Sequence, residues 1–318
     1  MILFKLNMND VYSYKIACVI VTYNRKEYLK RCLDAVEGQN RKPDCVFIID
    51  NASKDGTEKF IIESGYNKRR GDIIYKYVRC HKNMGGAGGF YLGIKIAFEE
   101  NVYDGLWVMD DDGEPEKSCL KELAKFLDNR DFIAPVVLSD EDHKSCSFVP
   151  NTTYEEFCKQ ANGLGIVEGW ASPFNGILFS SRLIKQIGYP KKEMFIWGDE
   201  INYQLRAEKA GFHRMTSVKA IHYHPMDRQL SVCNENTLNV VVVPVESDWK
   251  LYCAIRNRVY NLHLLYNYYV TLKKAYELYR AYKTYYHSIN VFDRDSLILK
   301  AVISGFCGYW KGLKQYIK

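Results

Sequence analysis

The feature that most constrains the fold of this chain is a regular alternation of strand and helix patterns in its first half. Runs rich in Val and Ile predict strands at residues 15–22, 45–50, 73–79 and 106–109. Apolar residues at helical spacing predict helices at residues 27–37, 57–64 and 89–100. Such alternation is typical of an open, mostly parallel sheet flanked by helices, so we expect an α/β domain.

Composition narrows the class of protein. Hydrophobic residues make up 47% and charged residues 26% of the 318 residues, which is ordinary for a globular protein. The ten cysteines include no CxxC pair, which argues against zinc ribbons and redox motifs, and a reducing compartment fits best. We recognise neither a secretory signal nor an apolar run of about 18 residues, so we expect a protein that is not exported and does not span a membrane.

Polar residues follow each predicted strand at the point where the strand ends. In open α/β sheets, ligands bind at the carboxyl ends of the strands, so these residues are expected to meet at one edge. For any single loop, helix capping and chain turning are an alternative explanation. The segments are Thr22-Tyr23-Asn24-Arg25, Asp50-Asn51-Ala52-Ser53, residues 81–89 and Asp110-Asp111-Asp112.

The loop at residues 83–90 (NMGGAGGF) is rich in glycine and precedes a helix, as phosphate-binding loops do. It lacks the GK[ST] of a P-loop, and the GxGxxG frame places Tyr91 where the last glycine belongs. Neither an ATPase loop nor a dinucleotide fingerprint is present. The glycines therefore predict a close approach of the backbone to a ligand or to a neighbouring helix.

Three consecutive carboxylates follow the fourth predicted strand. Asp110, Asp111 and Asp112 repel one another at the end of a buried segment, and a bound cation relieves this repulsion. Asp110 and Asp112 project the same way from an extended backbone, which suits a shared grip on Mg²⁺ or Mn²⁺. The alternative is a solvated acidic turn after which Glu114 and Pro115 begin a helix.

Taken in order, these motifs resemble the family 2 glycosyltransferases of the GT-A fold. The matching segments are VTYNR, DNAS-x-DGT, N-x-GGAGGF, W-x-MDDD-x-x-P, WGDEINYQLR and a later RNR, which together span roughly residues 15–265. A DxD pair alone is weak evidence for this family, whereas the complete set of motifs in this order is strong evidence. The resemblance is strongest to bacterial galactofuranosyltransferase-like and rhamnosyltransferase-like enzymes.

The resemblance implies a Rossmann-like GT-A domain, a nucleotide-sugar donor, and roles for individual residues. The uridine end of the donor is assigned to Thr22, Tyr23, Asn24, Arg25, Asp50 and Asn51, and its pocket to Asn83, Gly85 and Gly86. Asp110 and Asp112 are assigned to Mn²⁺ or Mg²⁺, with Asp111 near the ribose or the donor sugar.

The same resemblance places the catalytic base six residues before the Arg of the LR pair, which is Glu200. Many members carry Asp there, so Asp199 stays an alternative, and helix capping is the competing role for both. A third metal ligand is expected after the strand-like residues 215–221, where His222 matches the register better than His224.

Trp170 and Asn175 lie between the metal motif and the base in the sequence and are assigned to the acceptor. Aromatic faces stack on sugar rings, but an aromatic residue at this point is equally consistent with a core position. The sequence does not separate these two roles for Trp170.

After residue 244 the sequence pattern becomes purely helical, so we predict a catalytic domain at residues 1–245 and a helical region at residues 246–318. Helices are expected at residues 248–266, 271–287 and 296–317. From Lys250 onward the chain carries twelve Lys and Arg against three acids, a net charge of about +9, and twelve of the 25 tyrosines. The last helix bears an apolar stripe comprising Ile298, Val302, Gly305, Tyr309, Leu313 and Tyr316. Packing on the catalytic domain, self-association and contact with a membrane interface all fit this pattern.

The resemblance therefore implies an inverting, metal-dependent transfer from UDP-galactofuranose to a glycan or lipid-linked glycan, with no nucleic-acid partner. The expected location is the cytoplasmic side, peripheral on the inner face of the cell membrane. The alternatives are transfer of rhamnose or another hexose on the same scaffold, and a catalytically inactive glycan-binding or scaffold subunit.

Overall fold

The computed structural model describes residues 10–226, 242 and 245–315 of the chain. Chain contacts divide these residues into two compact units. The first holds residues 10–85, 89–189 and 207–226, and the second holds residues 86–88, 190–206, 242 and 245–315. Residues 190–206 thus join the helical part, whereas the sequence suggested a division at residues 245 and 246.

The first unit contains a ten-stranded sheet and most of the shorter helices. Its strands are β1 (Ile16–Thr22), β2 (Cys45–Asp50), β3 (Arg69–Arg70), β4 (Ile73–Arg79), β5 (Gly105–Asp110), β6 (Glu114–Pro115), β7 (Phe132–Ser139), β8 (Ile166–Glu168), β9 (Asn175–Ser180) and β10 (Arg214–His224). Its helices are α1 (Lys26–Glu37), α2 (Thr57–Glu63), α3 (Gly85–Glu99), α4 (Cys119–Ala124), α5 (Tyr154–Cys158) and α6 (Ser181–Ile187), while α7 (Asp199–Lys209) includes residues of both units.

The predicted mostly parallel α/β sheet is confirmed. The strand order is β3-β4-β2-β1-β5-β9-β7-β10-β6, with β8 paired to β10. Strands β4, β2, β1 and β5 run parallel, and β9 runs antiparallel to both β5 and β7. Strands β1 and β2 are fully buried, as expected for parallel strands covered on both faces, and Cys18 and Cys45 lie buried within them.

Glycines of the Gly-rich segment allow helix α3 to lie directly on the sheet. A Cβ at Gly89 would come within 2.5 Å of a Val21 methyl, and one at Gly93 within 2.5 Å of Val19 and 2.8 Å of Ile49. The close approach at these positions is made to strands β1 and β2, whereas the sequence suggested a ligand or a neighbouring helix for the loop at residues 83–90.

This contact gives a stability prediction. Gly93→Ala is expected to lower the free energy of unfolding by about 1–3 kcal/mol, because the added methyl overpacks the contact with the sheet. Gly86→Ala is the matched control, since a Cβ at Gly86 would have no neighbour within 4 Å and the substitution gains the same helix propensity. Thermal denaturation of the two variants measures the difference, and equal melting temperatures would contradict the packing argument.

The second unit is built around three long helices, α8 (Asp248–Leu265), α9 (Tyr268–Ser288) and α10 (Asp295–Cys307). Short 3-10 segments lie at Lys192–Met194 and Lys311–Gln315. Its core includes large side chains from all three helices, among them Tyr252, Tyr282, Tyr286 and Ile298. Among the described residues, no helix has both the length and the apolar character needed to cross a membrane.

The last predicted helix is shorter than expected. Helix α10 ends at Cys307, because Gly308 adopts a left-handed conformation with φ of 64°. Ile298, Val302 and Gly305 of the predicted stripe are buried, and a Cβ at Gly305 would come within 2.3 Å of the Arg256 carbonyl oxygen of α8. Tyr316 lies outside the described residues. Most of the stripe thus packs within the helical unit itself, while Tyr309 is exposed, and this packing differs from the three roles that the sequence left open.

Candidate functional site

Strand register brings the predicted donor-binding segments together at one edge of the first unit. Thr22 at the end of β1 is paired with Asp50 at the end of β2, and Asp50 with Arg79 at the end of β4. On the other side of β1, Val21 is paired with Asp110 at the end of β5. Polar side chains from four neighbouring strands therefore lie side by side.

Asp50 is a fully buried carboxylate with three partners. Its Oδ1 accepts the Ser53 backbone N–H at 2.8 Å, and its Oδ2 accepts the Tyr77 hydroxyl at 2.6 Å. The Arg79 guanidinium lies 3.9 Å from Oδ2. Burial and the bond to Asp50 raise the pKa of Tyr77, so this phenol stays protonated and donates. Asp50 is thereby held rigidly at the sheet edge.

The loops after β1 and β2 are tied to each other through Asn24. Its backbone N–H donates to Ser53 Oγ at 2.9 Å, and its side-chain oxygen accepts the Lys54 N–H at 2.7 Å. Asn24 has a positive φ of 53°, a conformation that Asn tolerates better than most residues. Tyr23, in contrast, leaves 41% of its side chain exposed beside this junction.

Asn51 joins the second strand to the Gly-rich loop. Its Nδ2 donates to the Gly85 carbonyl at 2.9 Å, and Asn83 Oδ1 accepts the Gly85 N–H at 2.7 Å. Gly85 has a φ of 72°, which favours glycine. Asn51, Asn83 and Gly85 are thus brought together, whereas Gly86 belongs to the second unit.

The acidic triplet is built around Asp111. Thr22 Oγ1 donates to Asp111 Oδ2 at 2.6 Å, and the Arg25 guanidinium lies 3.4 Å from Asp111 Oδ1. Burial raises the pKa of Asp111 to about 7, although Thr22 and Arg25 oppose this shift. Burial thus disfavours the charged form of this carboxyl, while the contacts with Thr22 and Arg25 favour it.

Arg25 serves all three carboxylates. Its guanidinium forms an ion pair with Asp112 as well as Asp111. Burial by itself lowers the pKa of Arg25, but attraction to Asp112, Asp111 and Asp110 outweighs it and raises the pKa. The repulsion expected within the triplet is thus relieved in part by a side chain of the protein.

His224 makes a direct side-chain contact with the triplet. Its Nε2 is 3.2 Å from Asp112 Oδ1. This contact arises because Glu114 and Pro115 form the short strand β6, which pairs antiparallel with Tyr223 and His222 of β10. The alternative in which Pro115 begins a helix is therefore not observed, and the next helix, α4, begins only at Cys119.

His222 occupies a closed slot between two glycines. A Cβ at Gly113 would lie 2.1 Å from His222 Nε2, and one at Gly176 would lie 2.8 Å from Nδ1. Neither ring nitrogen has a hydrogen-bond partner among the described residues. Burial lowers the pKa of His222 to about 3, so its imidazole is neutral.

The donor set at Asp112 suits a divalent cation only in part. A carboxylate and an imidazole within 3.2 Å of each other combine the oxygen and nitrogen ligands that Mn²⁺ accepts. In the described part of the chain, no group of three or more His, Cys, Asp and Glu side chains is arranged to hold a metal ion. Asp112 and His224 could thus supply two ligands to a divalent cation.

The two residues assigned to the acceptor lie in different surroundings. Asn175 is buried at the start of β9, paired with Met109 next to Asp110, and its Oδ1 has no hydrogen-bond partner among the described residues. The half-buried Trp170 ring packs edge-on against Phe157 at 5.1 Å, beside a small apolar cluster. Asn175 therefore lies at the site edge, whereas Trp170 contributes to local packing.

The two candidate bases begin helix α7, among residues of the second unit. Asp199 is 4% exposed. Glu200 is half-buried, and its Oε2 makes no hydrogen bond to any described residue. Both carboxylates lie in the first helical turn, where the helix dipole favours negative charge.

Several residues of this constellation were not identified from the sequence. Tyr77 and Arg79 hold Asp50 in place, and their position near the end of a predicted strand could have indicated this contact. Gly113 makes room for His222, which no local pattern reveals.

Comparison with known proteins agrees with this geometry. The sequence profile described as Glycosyl transferase family 2 matches residues 17–165. Galactofuranosyltransferase GlfT1 of Mycobacterium tuberculosis is 30% identical over 216 residues, which are 65% of this chain and 69% of that protein.

Two solved structures share the fold at low sequence identity. S. aureus TarS residues 1–349, in complex with UDP-GlcNAc, has a TM-score of 0.56 at 15% identity, covering 92% of this chain and 81% of TarS 1–349. GalNAc-T7 with UDP, GalNAc and Mn²⁺ has a TM-score of 0.58 at 13% identity, covering 94% of this chain and 58% of GalNAc-T7. These similarities establish a GT-A fold.

Proposed function

Because this chain belongs to glycosyltransferase family 2 and is a glycosyltransferase, we propose that it transfers galactofuranose from UDP-galactofuranose to a glycan acceptor, with inversion. The main support is the alignment of Thr22, Asp50 and the acidic triplet along one sheet edge. The similarity to GlfT1 favours galactofuranose as the sugar. Rhamnosyl or other hexosyl transfer is the alternative on the same scaffold.

In this proposal the donor is held by side chains whose positions the sheet fixes. Asp50 is assigned to the uridine end together with Asn24, Asn51 and Tyr23 of the adjoining loops. Because Asp50 is buried and bonded to Ser53 and Tyr77, its carboxylate would act by holding these strand ends in place. Arg25 supplies a cationic group next to the donor phosphates. Asp110, Asp112 and one histidine hold Mn²⁺ or Mg²⁺, and the contact of His224 with Asp112 favours His224 over His222. The chemistry that such a cation supplies is neutralisation of charge on the leaving nucleoside diphosphate.

For the acceptor, we propose that Glu200 takes the proton of the attacking hydroxyl, with Asp199 as the alternative base. The lack of a described partner at Glu200 Oε2 supports this order, since a base needs an accepting atom that the protein does not already occupy. Asn175, with its buried amide oxygen unpaired, is proposed to contact the reacting sugars. Trp170 is retained as an acceptor candidate.

A donor screen tests this function. Purified full-length protein is incubated with UDP-galactofuranose, UDP-galactopyranose, UDP-GlcNAc and dTDP-rhamnose, with Mn²⁺ or with a chelator, and nucleoside diphosphate release is measured. We expect the greatest release from UDP-galactofuranose with Mn²⁺. Greater release from another donor would replace the sugar assignment, and nucleotide binding without any release would favour an inactive glycan-binding subunit.

We further propose that the enzyme acts at the inner face of the cell membrane on lipid-linked acceptors, through a surface at the start of helix α9. This α9 surface consists of the exposed side chains Leu265, Tyr266, Tyr268, Tyr269, Leu272 and Tyr276, together with the exposed Lys273 and the half-buried Lys274. Tyr268 also contacts Phe306 of α10, at a ring-centroid distance of 5.3 Å. Tyrosine favours the lipid headgroup level, and the net charge of about +9 from Lys250 onward complements anionic lipids.

Vesicle co-sedimentation tests this contact. The full chain is expected to bind phosphatidylglycerol vesicles at low salt, and to be released at high salt because surface attraction is screened within about 8 Å at physiological ionic strength. Leu272→Ser combined with Tyr269→Ser should reduce binding several-fold. Ile62→Ser combined with Tyr12→Ser is the control, since these side chains are comparably exposed in the first unit. Absence of binding at low salt would overturn the membrane contact.

A further inference from the structure

The segment that leads into helix α7 has an unusual backbone. Phe195, Trp197 and Gly198 have positive φ values of 69°, 58° and 84°. Only glycine adopts such angles without cost, and each non-glycine residue held there typically costs about 1–3 kcal/mol. The next residues are Asp199 and Glu200, so the strained segment determines where these carboxylates lie.

Asn257 of helix α8 holds this segment by its main chain. Its side-chain Nδ2 donates toward the carbonyl oxygens of Met194, Ile196 and Trp197 at 2.9, 2.9 and 2.7 Å. Gathering three carbonyls around one amide group is incompatible with an extended segment. A single fully buried side chain therefore keeps the segment curled.

Asn261 lies one helical turn further along α8 and joins the segment to helix α7. Its Nδ2 donates to the Gly198 carbonyl at 2.8 Å, and its Oδ1 accepts Asn202 Nδ2 at 2.9 Å. Asn202 is in the first turn of α7 and follows Asp199 and Glu200 in the sequence. Asp199 and Glu200 are thus bracketed by contacts of Asn261 on both sides.

Arg256 fixes the orientation of the Asn257 amide. Its Nε donates to Asn257 Oδ1 at 2.9 Å, which turns the amide nitrogen toward the carbonyls. Its Nη2 donates to the Met194 carbonyl at 2.8 Å. The guanidinium is fully buried and lies over the rings of Tyr252 and Trp310 at 5.4 and 4.9 Å. Burying a cation is costly in free energy. The buried Arg256 guanidinium nevertheless bonds to the Met194 carbonyl and to Asn257, which indicates that the geometry of the segment before α7 is held fixed.

We propose that Asn257, oriented by Arg256, and Asn261 are positioning residues that hold Phe195, Trp197 and Gly198 in their positive-φ conformations and thereby fix the acceptor-activating carboxylates. This inference rests on the proposed role of Glu200 or Asp199 as the base. These three residues do not touch the reacting atoms. They act by preorganising a proton acceptor, for which a displacement of about 1 Å can cost about 10²-fold in rate.

The test uses the full chain and hydrolysis of UDP-galactofuranose, in which water replaces the acceptor hydroxyl. Asn257→Asp keeps the side-chain size but places oxygen against the three carbonyls. We expect kcat to fall about 10- to 100-fold while KM for the donor stays within about twofold. Ser304→Ala is the matched control, because it removes a buried 2.8 Å hydrogen bond to Tyr252 between α8 and α10 without contacting the segment. It should lower stability and leave kcat unchanged.

A double-mutant cycle separates positioning from general stability. If Asn257 acts through the base, Asn257→Asp combined with Glu200→Gln should be no slower than Glu200→Gln alone. The positioning role would be overturned if the rate loss of Asn257→Asp multiplied with that of Glu200→Gln in one double variant and with that of Asp199→Asn in the other. Wild-type rates in both carboxylate variants would instead overturn the base assignment, an outcome visible before any α8 variant is combined.

Amide hydrogen exchange gives a readout that does not depend on activity. Asn257→Asp, or Asn261→Ala if the first variant does not fold, should exchange faster at residues 195–202, with little change in the sheet of the first unit. Ser304→Ala should leave exchange in this segment unchanged. Unchanged exchange at residues 195–202 in a folded α8 variant would overturn the proposal even if the base assignment holds.

Discussion

Asp112→Asn is expected to lower the rate of sugar transfer by about 10³-fold or more and to weaken donor binding chiefly when Mn²⁺ is present. The physical reason is that the substitution replaces the anionic carboxylate next to His224 with a neutral amide, and a metal that stabilises charge on a leaving diphosphate lowers the barrier by several kcal/mol. Asp128→Asn, an exposed acid at a turn of the same unit, is the control and should be unaffected. A variant that keeps near-wild-type activity in the presence of a chelator would show that no metal is needed.

Mn²⁺ dependence and thermal stability together decide which of the two histidines is the metal ligand. Since His224 Nε2 lies 3.2 Å from Asp112, His224→Ala should raise the Mn²⁺ concentration needed for half-maximal activity and weaken Mn²⁺ binding in the presence of UDP, as followed by paramagnetic resonance. His222→Ala should instead lower the melting temperature, because it empties the slot between Gly113 and Gly176. The reverse pattern would return the ligand role to His222, as the sequence register suggested.

Glu200→Gln is expected to slow transfer by about 10²- to 10⁴-fold while donor affinity stays close to that of the wild type, because removing a general base acts on chemistry and not on binding. Asp199→Asn should have a smaller effect. Glu193→Gln, an exposed acid in the same unit, is the control. Turnover with saturating donor, together with calorimetric titration of UDP, separates the two effects.

Two outcomes would change this assignment. If Asp199→Asn slows turnover and Glu200→Gln does not, the two carboxylates exchange roles. If either variant loses donor affinity in step with its rate, the carboxylate contributes to binding and the base must be sought elsewhere.

The sequence was sufficient for the first half of the fold because the relevant physics there is local. Strand β2 and strand β4 have the bounds that their apolar runs predicted, and β1 and β5 differ by at most one residue at either end. Parallel strands with buried faces carry a continuous apolar signal, and the polar residues that follow them mark the sheet edge. Thr22, Asp50 and Asp110 could therefore be assigned to one edge before any distance was known.

The end of the last helix and the place of its stripe could not be predicted in the same way. Continued apolar spacing suggested a helix to residue 317, but Gly308 ends α10 by adopting a positive φ. Ile298 and Val302 then face α8 and not a lipid or solvent surface. Periodicity defines a helix face, but only packing determines what covers that face.

What the sequence by itself determined is the order of strands and helices, the strand-end position of the donor residues and the family to which the chain belongs. Tertiary structure alone decided that His224 contacts Asp112, that His222 sits closed between two glycines, and that Asn257 holds the segment before Asp199. These contacts join residues separated by 46 to 112 positions, and they depend on strand register and on the side-chain rotamers of packed neighbours. Local propensity carries no information about such pairs, because their energy appears only when distant segments are brought together.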